Sequence, residues 1–107
     1  MGLVVVPIEN NKVEAWKDWA KSLANEKSSE FSDFNKKYGL TRHDAWLAET
    51  PGGAVVVALH EGPGADEFMS KIAQSNGSFE SYFKEKLKDF HGMNFDGPPP
   101  PMPVKMI

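Results

Sequence analysis

Hydrophobic and polar positions in the first part of the chain follow two different periods. Residues 3–8 are apolar and rich in β-branched valine, which favours a strand buried on both faces. Beyond them, apolar residues recur every three or four positions, with one charged interruption at Lys27. This period predicts one helix over residues 13–38, roughly 26 residues long, that ends before Gly39. The serines at 28–29 mark the point at which this helix would bend or split.

The following residues predict a β-hairpin. Two strand-like stretches, 42–50 and 54–61, flank a Pro-Gly-Gly turn at 51–53. A three-residue loop would pair Thr50 with Ala54 and bring the aliphatic residues of the two strands together, whereas a two-residue turn would scatter polar residues over both faces. A slip of one residue reverses every side chain, so this register decides which residues share a face. It places a mixed set of side chains on one face: Arg42, Asp44, Trp46, Ala48, Val56, Ala58 and His60.

Two shorter helical stripes and a proline-rich tail complete the chain. The stripes extend over residues 65–73 and 78–91. Four consecutive prolines at 98–101 favour a polyproline segment, and the last five residues predict a final edge strand. The pattern contains no internal repeat, and we expect one domain over residues 1–107, with the proline-rich tail over about 96–107.

The order of these elements is strand, helix, hairpin, broken helix and last strand, which is βαββαβ. This order is typical of the ferredoxin-like arrangement within the α+β class, an antiparallel sheet with helices on one face. The other face of the sheet is then bare. On the predicted register it carries Trp46, Val56 and Ala58, and an exposed apolar patch of this kind predicts a partner.

The chain resembles the dimeric α+β barrel proteins, in which two ferredoxin-like subunits pack their bare sheet faces together around a cavity. The resemblance extends over residues 3–95 and implies a homodimer. Among these proteins are cofactor-free monooxygenases, haem-binding or haem-degrading proteins and chlorite dismutases, and no functional residue of any of them is carried over to this chain. The resemblance rests on the element order, the long first helix and an apolar third strand after the hairpin turn Glu49-Thr50-Pro51-Gly52-Gly53.

Composition narrows the classes of function. The chain has no cysteine, which excludes disulfides, thiolate zinc sites and cysteine nucleophiles. A net charge of −3 and the lack of aromatic residues at 54–60 argue against nucleic-acid binding. No stretch reaches the roughly 20 apolar residues that cross a bilayer, and the three histidines lack the close spacing of zinc ligands. We therefore expect a cytoplasmic protein with no targeting segment and with no nucleic acid, membrane, metal or cofactor as partner.

His60 is the main candidate for chemistry. On the predicted register it lies beside Asp44, and a carboxylate can orient an imidazole as a general base or as a metal or haem ligand. Arg42 would hold a ligand carboxylate, and Trp46 would form a cavity wall. Plainer roles are open for the same residues. His60 would then only satisfy hydrogen bonds at a strand end, and Trp46 would anchor an interface. Arg42 and Asp44 would form a solvated ion pair.

Two hypotheses for the function follow. The leading one is a homodimeric barrel that binds a small, largely apolar or fatty-acid-like molecule in a cavity on the helix-free sheet face. For an enzyme, the resemblance implies cofactor-free oxidation or isomerisation, with His60 as the base. The alternative is a structural or interaction dimer whose closed interface leaves no cavity. In the leading hypothesis, the walls of the cavity are formed by Trp46, Val56 and Ala58. The polar contacts to the ligand come from His60, Asp44 and Arg42.

Overall fold

A computed structural model describes residues 1–97 and 102–107 of the chain. It has the α+β composition that the sequence predicts. Two short 3-10 helices, Asn10–Lys12 and Ala65–Glu67, precede α1 and α3. The strands are β1 (Gly2–Ile8), β2 (Arg42–Thr50) and β3 (Gly53–Glu61), and the α-helices are α1 (Val13–Ala24), α2 (Ser28–Lys37), α3 (Phe68–Gln74) and α4 (Ser78–His91).

The three strands form one antiparallel sheet in the order β1-β3-β2. The central strand is the apolar β3, which pairs with β2 along its whole length and with β1 over residues 54–60. The predicted final strand is wrong for the described residues, because residues 102–107 belong to no strand and are exposed. Val104, Met106 and Ile107 are 78–106% exposed, so the segment buries too little apolar surface to offset the entropy lost in ordering a strand. The polyproline prediction for residues 98–101 lies outside the described residues.

The hairpin register is one residue away from the predicted one. Thr50 pairs with Gly53 across a two-residue loop, and its hydroxyl donates a hydrogen bond to the Gly53 carbonyl oxygen at 2.6 Å. Gly53 adopts a φ of 127°, which favours glycine and lets the chain enter β3 immediately after the turn. As a result His60 pairs with His43, and Ala58 pairs with Ala45.

The sheet therefore has two faces that differ from the predicted ones. We call the face that carries Val6, Val56 and His60 the inner face, because these residues are buried beneath the helices. Val5 and Trp46 belong to the opposite, outer face and are 46% and 48% exposed. The prediction that His60, Val56 and Ala58 share a face with Arg42, Asp44 and Trp46 is wrong, because a slip of one residue exchanges the two sets.

The predicted first helix is divided into α1 and α2. Residues 25–27 form a turn in which the Lys27 N–H donates to the Ser22 carbonyl oxygen, five residues back instead of four. Lys27 occupies the position at which the apolar stripe is interrupted, and its ammonium group lies 4.7 Å from the centre of the Tyr82 ring. The split that the two serines indicated is confirmed, and the single long helix is wrong.

The core lies between the inner face and the helices. Phe68 and Ile72 of α3 are completely buried. Phe34 of α2 lies in an aromatic cluster, with its ring centre 4.8 Å from that of Phe79 and 5.2 Å from that of Phe83. Aromatic rings from α2, α3 and α4 thus fill one end of the space above the sheet.

Candidate functional site

A cavity of about 430 Å³ lies between the inner face and the helices. This volume falls within the range of roughly 300–1,000 Å³ that is common for small-molecule sites. The lining is mostly apolar, with histidines as the main polar groups. Its residues include Val4, Val56, Ala58, His60, Ala45 and His43 from the sheet, and Trp16, Trp19, Leu23, Phe83, Leu87 and His91 from the helices.

The floor of the cavity owes its depth to small side chains. Val4, Ala58 and Ala45 are cross-strand partners, so they form one row across the inner face. Two of the three members of this row end at Cβ, and the helices above them leave the space open. Trp16 and Trp19 are three residues apart on α1, and both line the cavity from the helix side.

The cavity borders the edge strand β2. Three consecutive residues of this strand, Asp44, Ala45 and Trp46, are among its lining residues. Consecutive strand residues point to opposite faces, so the backbone of β2 and the side chain of Ala45 form this border. Ala45 is exposed although it belongs to the inner face, and Ala24 at the end of α1 is exposed as well. The cavity therefore opens to solvent between α1 and β2.

His60 lies at one end of the floor and is only 3% exposed. Its ring hydrogen-bonds to none of the side chains or backbone groups that the structure describes. It contacts Phe68 and His43 edge to face, with ring centres 4.7 Å and 4.6 Å away. Burial lowers the pKa of His60 to about 4, so the imidazole is neutral at pH 7.

The other two histidines of the cavity have fixed partners. His43 Nδ1 lies 2.8 Å from the Asn35 side-chain oxygen, and burial together with the neighbouring His60 lowers the pKa of His43 to about 3. His91 Nδ1 donates a hydrogen bond to the Pro7 carbonyl oxygen at 2.9 Å, and burial lowers the pKa of His91 as well. The histidine side chains thus give the cavity polar atoms without positive charge at neutral pH.

Trp19 also carries a polar atom without a partner. Its side chain is 8% exposed, and its ring lies 5.6 Å from both Phe83 and Phe90. The indole Nε1–H is buried and donates to no acceptor among residues 1–97 and 102–107. Orphan donors of this kind are rare in folded proteins.

The predicted His60–Asp44 pair does not form. The Asp44 carboxylate accepts a hydrogen bond from Arg42, which also forms an ion pair with Glu61 at 3.2 Å. These three groups are partly exposed on the outer face, whereas His60 is buried on the inner face. Arg42 does not line the cavity. Its solvated ion pair with Asp44 is the plainer of the two roles that the sequence left open.

Three other predicted site residues do border the cavity. Val56 and Ala58 line its floor, and Trp46 contributes from the edge strand. Trp16, Trp19, His43 and His91 also line the cavity, although the sequence did not single them out as site residues. Trp16 and Trp19 could have been grouped from the sequence, because residues three apart on a helix lie on the same side. His43 could not be placed beside His60 in this way, because their contact depends on the register of the hairpin.

Within the described part of the chain, no group of three or more histidine or acidic side chains is arranged to hold a metal ion. The helices found there are all too short or too polar to cross a membrane. Comparison with protein-family models, with curated proteins and with solved structures finds no match to this chain.

Proposed function

We propose that the chain binds a small, largely apolar molecule in the cavity between its helices and the inner face of its sheet. The observation that carries this proposal is an open apolar space where a folded core is normally filled. Empty volume in a core costs stability, at about 24 cal/mol per Å³ in measured cases. A bound molecule would offset that cost by contacting Trp16, Val56 and Ala58.

Binding fits the geometry better than the acid–base chemistry that the sequence indicated. A general base works best when its pKa is near the working pH. Burial lowers the pKa of His60 to about 4, and no carboxylate orients the ring, because Asp44 lies on the other face. His60 is therefore a neutral hydrogen-bonding contact in this proposal, and not a catalytic base.

We also propose that two copies of the chain associate through their outer faces. Val5, Val57 and Trp46 are cross-strand partners and form an apolar row across that face. Arg42 and Asp44 lie at one end of it, which gives the apolar centre and polar rim that are typical of an interface. A homodimer of ferredoxin-like subunits, as in the dimeric α+β barrels, would cover this row in both copies.

A matched pair of variants tests the ligand site. Ala58→Leu adds volume to the cavity floor, whereas Ala48→Leu makes the same change on the exposed outer face. Titration with the neutral fluorescent probe N-phenyl-1-naphthylamine should give tenfold or more weaker binding for Ala58→Leu, and unchanged binding for Ala48→Leu. Equal affinities for both variants, or no binding by the unmodified chain, would contradict the proposal.

A further inference from the structure

The described side chains that line the cavity carry no unpaired charge, and this limits the kind of ligand that can bind there. No lysine or arginine is present among the described residues that line it. The one acidic residue of the described lining, Asp44, borders the cavity with its backbone, and its carboxylate is paired with Arg42 on the outer face. A charged ligand group placed beside His60, at the buried end of the cavity, would meet no opposite charge from the part of the chain that the structure describes, and its loss of hydration would be uncompensated.

Two polar side chains of the lining have no hydrogen-bond partner among the described residues, those of Trp19 and His60. The Trp19 N–H is itself buried from the open space, which leaves His60 as the polar contact for a ligand. His60 is 3% exposed, lines the cavity, and hydrogen-bonds to no other described residue. A neutral imidazole offers one N–H donor and one nitrogen acceptor. A ligand oxygen that is uncharged, in a carbonyl or hydroxyl group, can satisfy either of them.

We infer that the cavity selects an uncharged apolar ligand whose carbonyl or hydroxyl oxygen hydrogen-bonds to His60, and that it discriminates against carboxylates and ammonium ions. This inference rests on the proposed function and narrows it, because a fatty-acid-like ligand would be excluded in its ionised form. The lowered pKa values of His43, His60 and His91 agree with it, since none of these rings supplies a positive charge at pH 7.

Four naphthalene derivatives of similar shape test the selection by isothermal titration calorimetry at pH 7.5. They are 2-acetonaphthone, which has a neutral carbonyl; 2-naphthoate; 2-naphthylmethylammonium; and naphthalene itself. The ketone should bind about tenfold or more tightly than either ion, and measurably more tightly than naphthalene. If an ion binds as tightly as the ketone, the inference is wrong while the proposed function stands. If none of the four binds, the proposed function fails.

Variants of His60 separate its hydrogen bond from its packing. His60→Phe retains a ring against Phe68 but has no polar atom, and should bind the ketone no better than naphthalene. His60→Gln retains a neutral donor and acceptor and should keep the preference for the ketone. Thermal unfolding of each variant checks that it is folded. If folded His60→Phe keeps the full preference for the ketone, His60 is not the contact.

Discussion

The imidazole rings of His43 and His60 meet edge to face across paired strands, with their centres 4.6 Å apart. Both rings are held in the neutral form by burial, and each would disfavour a charge on the other. This pair links the register of the hairpin to the polarity of the cavity, because the predicted register would have separated the two side chains.

The buried histidines predict a loss of stability in mild acid. Their pKa values are about 3 for His43 and about 4 for His60, both below the ordinary value of 6.5, and that of His91 is also lowered. The unfolded chain therefore binds more protons than the folded chain as the pH falls from 6.5 toward 4. The free energy of unfolding should decrease over this window, by up to about 1.4 kcal/mol for each pKa unit of each histidine.

Urea denaturation at pH 7.5, 6.5, 5.5 and 4.5 measures this dependence. A double variant with His43→Phe and His60→Phe is the control, and its stability should change less over the same range. A stability that is constant from pH 7.5 to 4.5 in the unmodified chain would contradict the burial of neutral histidines.

Glu80 of α4, which contacts the end of α2 through Lys37, predicts a second, separate effect on stability. Its buried carboxylate accepts hydrogen bonds from Lys37 at 2.5 Å, Tyr38 at 2.7 Å and Ser75 at 3.1 Å. Burial opposes ionisation of Glu80, but these donors outweigh it and lower the pKa to about 2. Glu80→Gln should lower the free energy of unfolding at pH 7 by about 1–3 kcal/mol.

Glu85 of the same helix is the matched control for Glu80, because it is exposed. Glu85→Gln should change the free energy of unfolding by less than about 0.5 kcal/mol. Chemical denaturation measures the free energy of unfolding of both variants. Equal decreases for the two would show that the hydrogen bonds to the Glu80 carboxylate do not stabilise the fold.

Two glycines predict opposite results for the same substitution. A Cβ atom on Gly64 would overlap the carbonyl oxygen of Tyr38, whereas one on Gly52 would meet only the Thr50 hydroxyl at 3.9 Å. Gly64→Ala should therefore lower the melting temperature clearly, since backbone must move to admit the methyl group, and Gly52→Ala should leave it nearly unchanged. A Gly64→Ala protein as stable as the unmodified chain would contradict the close approach of these two segments.

The outer face predicts the state of assembly. Val5→Lys places a charge in the apolar row of that face, away from the cavity lining. Native mass spectrometry of the unmodified chain should show a dimer of two 11.9 kDa chains, and Val5→Lys should give monomers. Ala15→Lys, at an exposed position on α1, should remain dimeric. A monomer without any substitution would rule out the proposed homodimer.

Much of the fold could be predicted from periodicity because the signals are local. The strand at the N-terminus, the hairpin and the helices after it follow from apolar spacing and from glycine and proline positions. The division of the first helix has only a weak signal, because Lys27 and the serines after it interrupt the apolar stripe, which then continues at Phe31 and Phe34.

The register could not be predicted because most of the central strand β3 is apolar on both of its faces. When polar residues mark one face, a slip of one residue buries them and is strongly disfavoured; here Val56 and Val57 are equally suited to either side. The register that groups the aliphatic residues on one face therefore placed His60 beside Asp44, whereas in the structure His60 pairs with His43. His60 and Ala58 do line a cavity, but it lies on the helix-covered side of the sheet and not on the predicted helix-free side.

The most direct test of the central claim uses neighbouring methyl groups of β3. Ala58 and Val56 point to the inner face, whereas Val57 points to the outer face. Methyl NMR spectra recorded during titration with 2-acetonaphthone should show the largest shifts at Ala58 and Val56, and little change at Val57 and Val5. Shifts at Val57 and Val5 with none at Ala58 would place the ligand on the outer face and contradict the account.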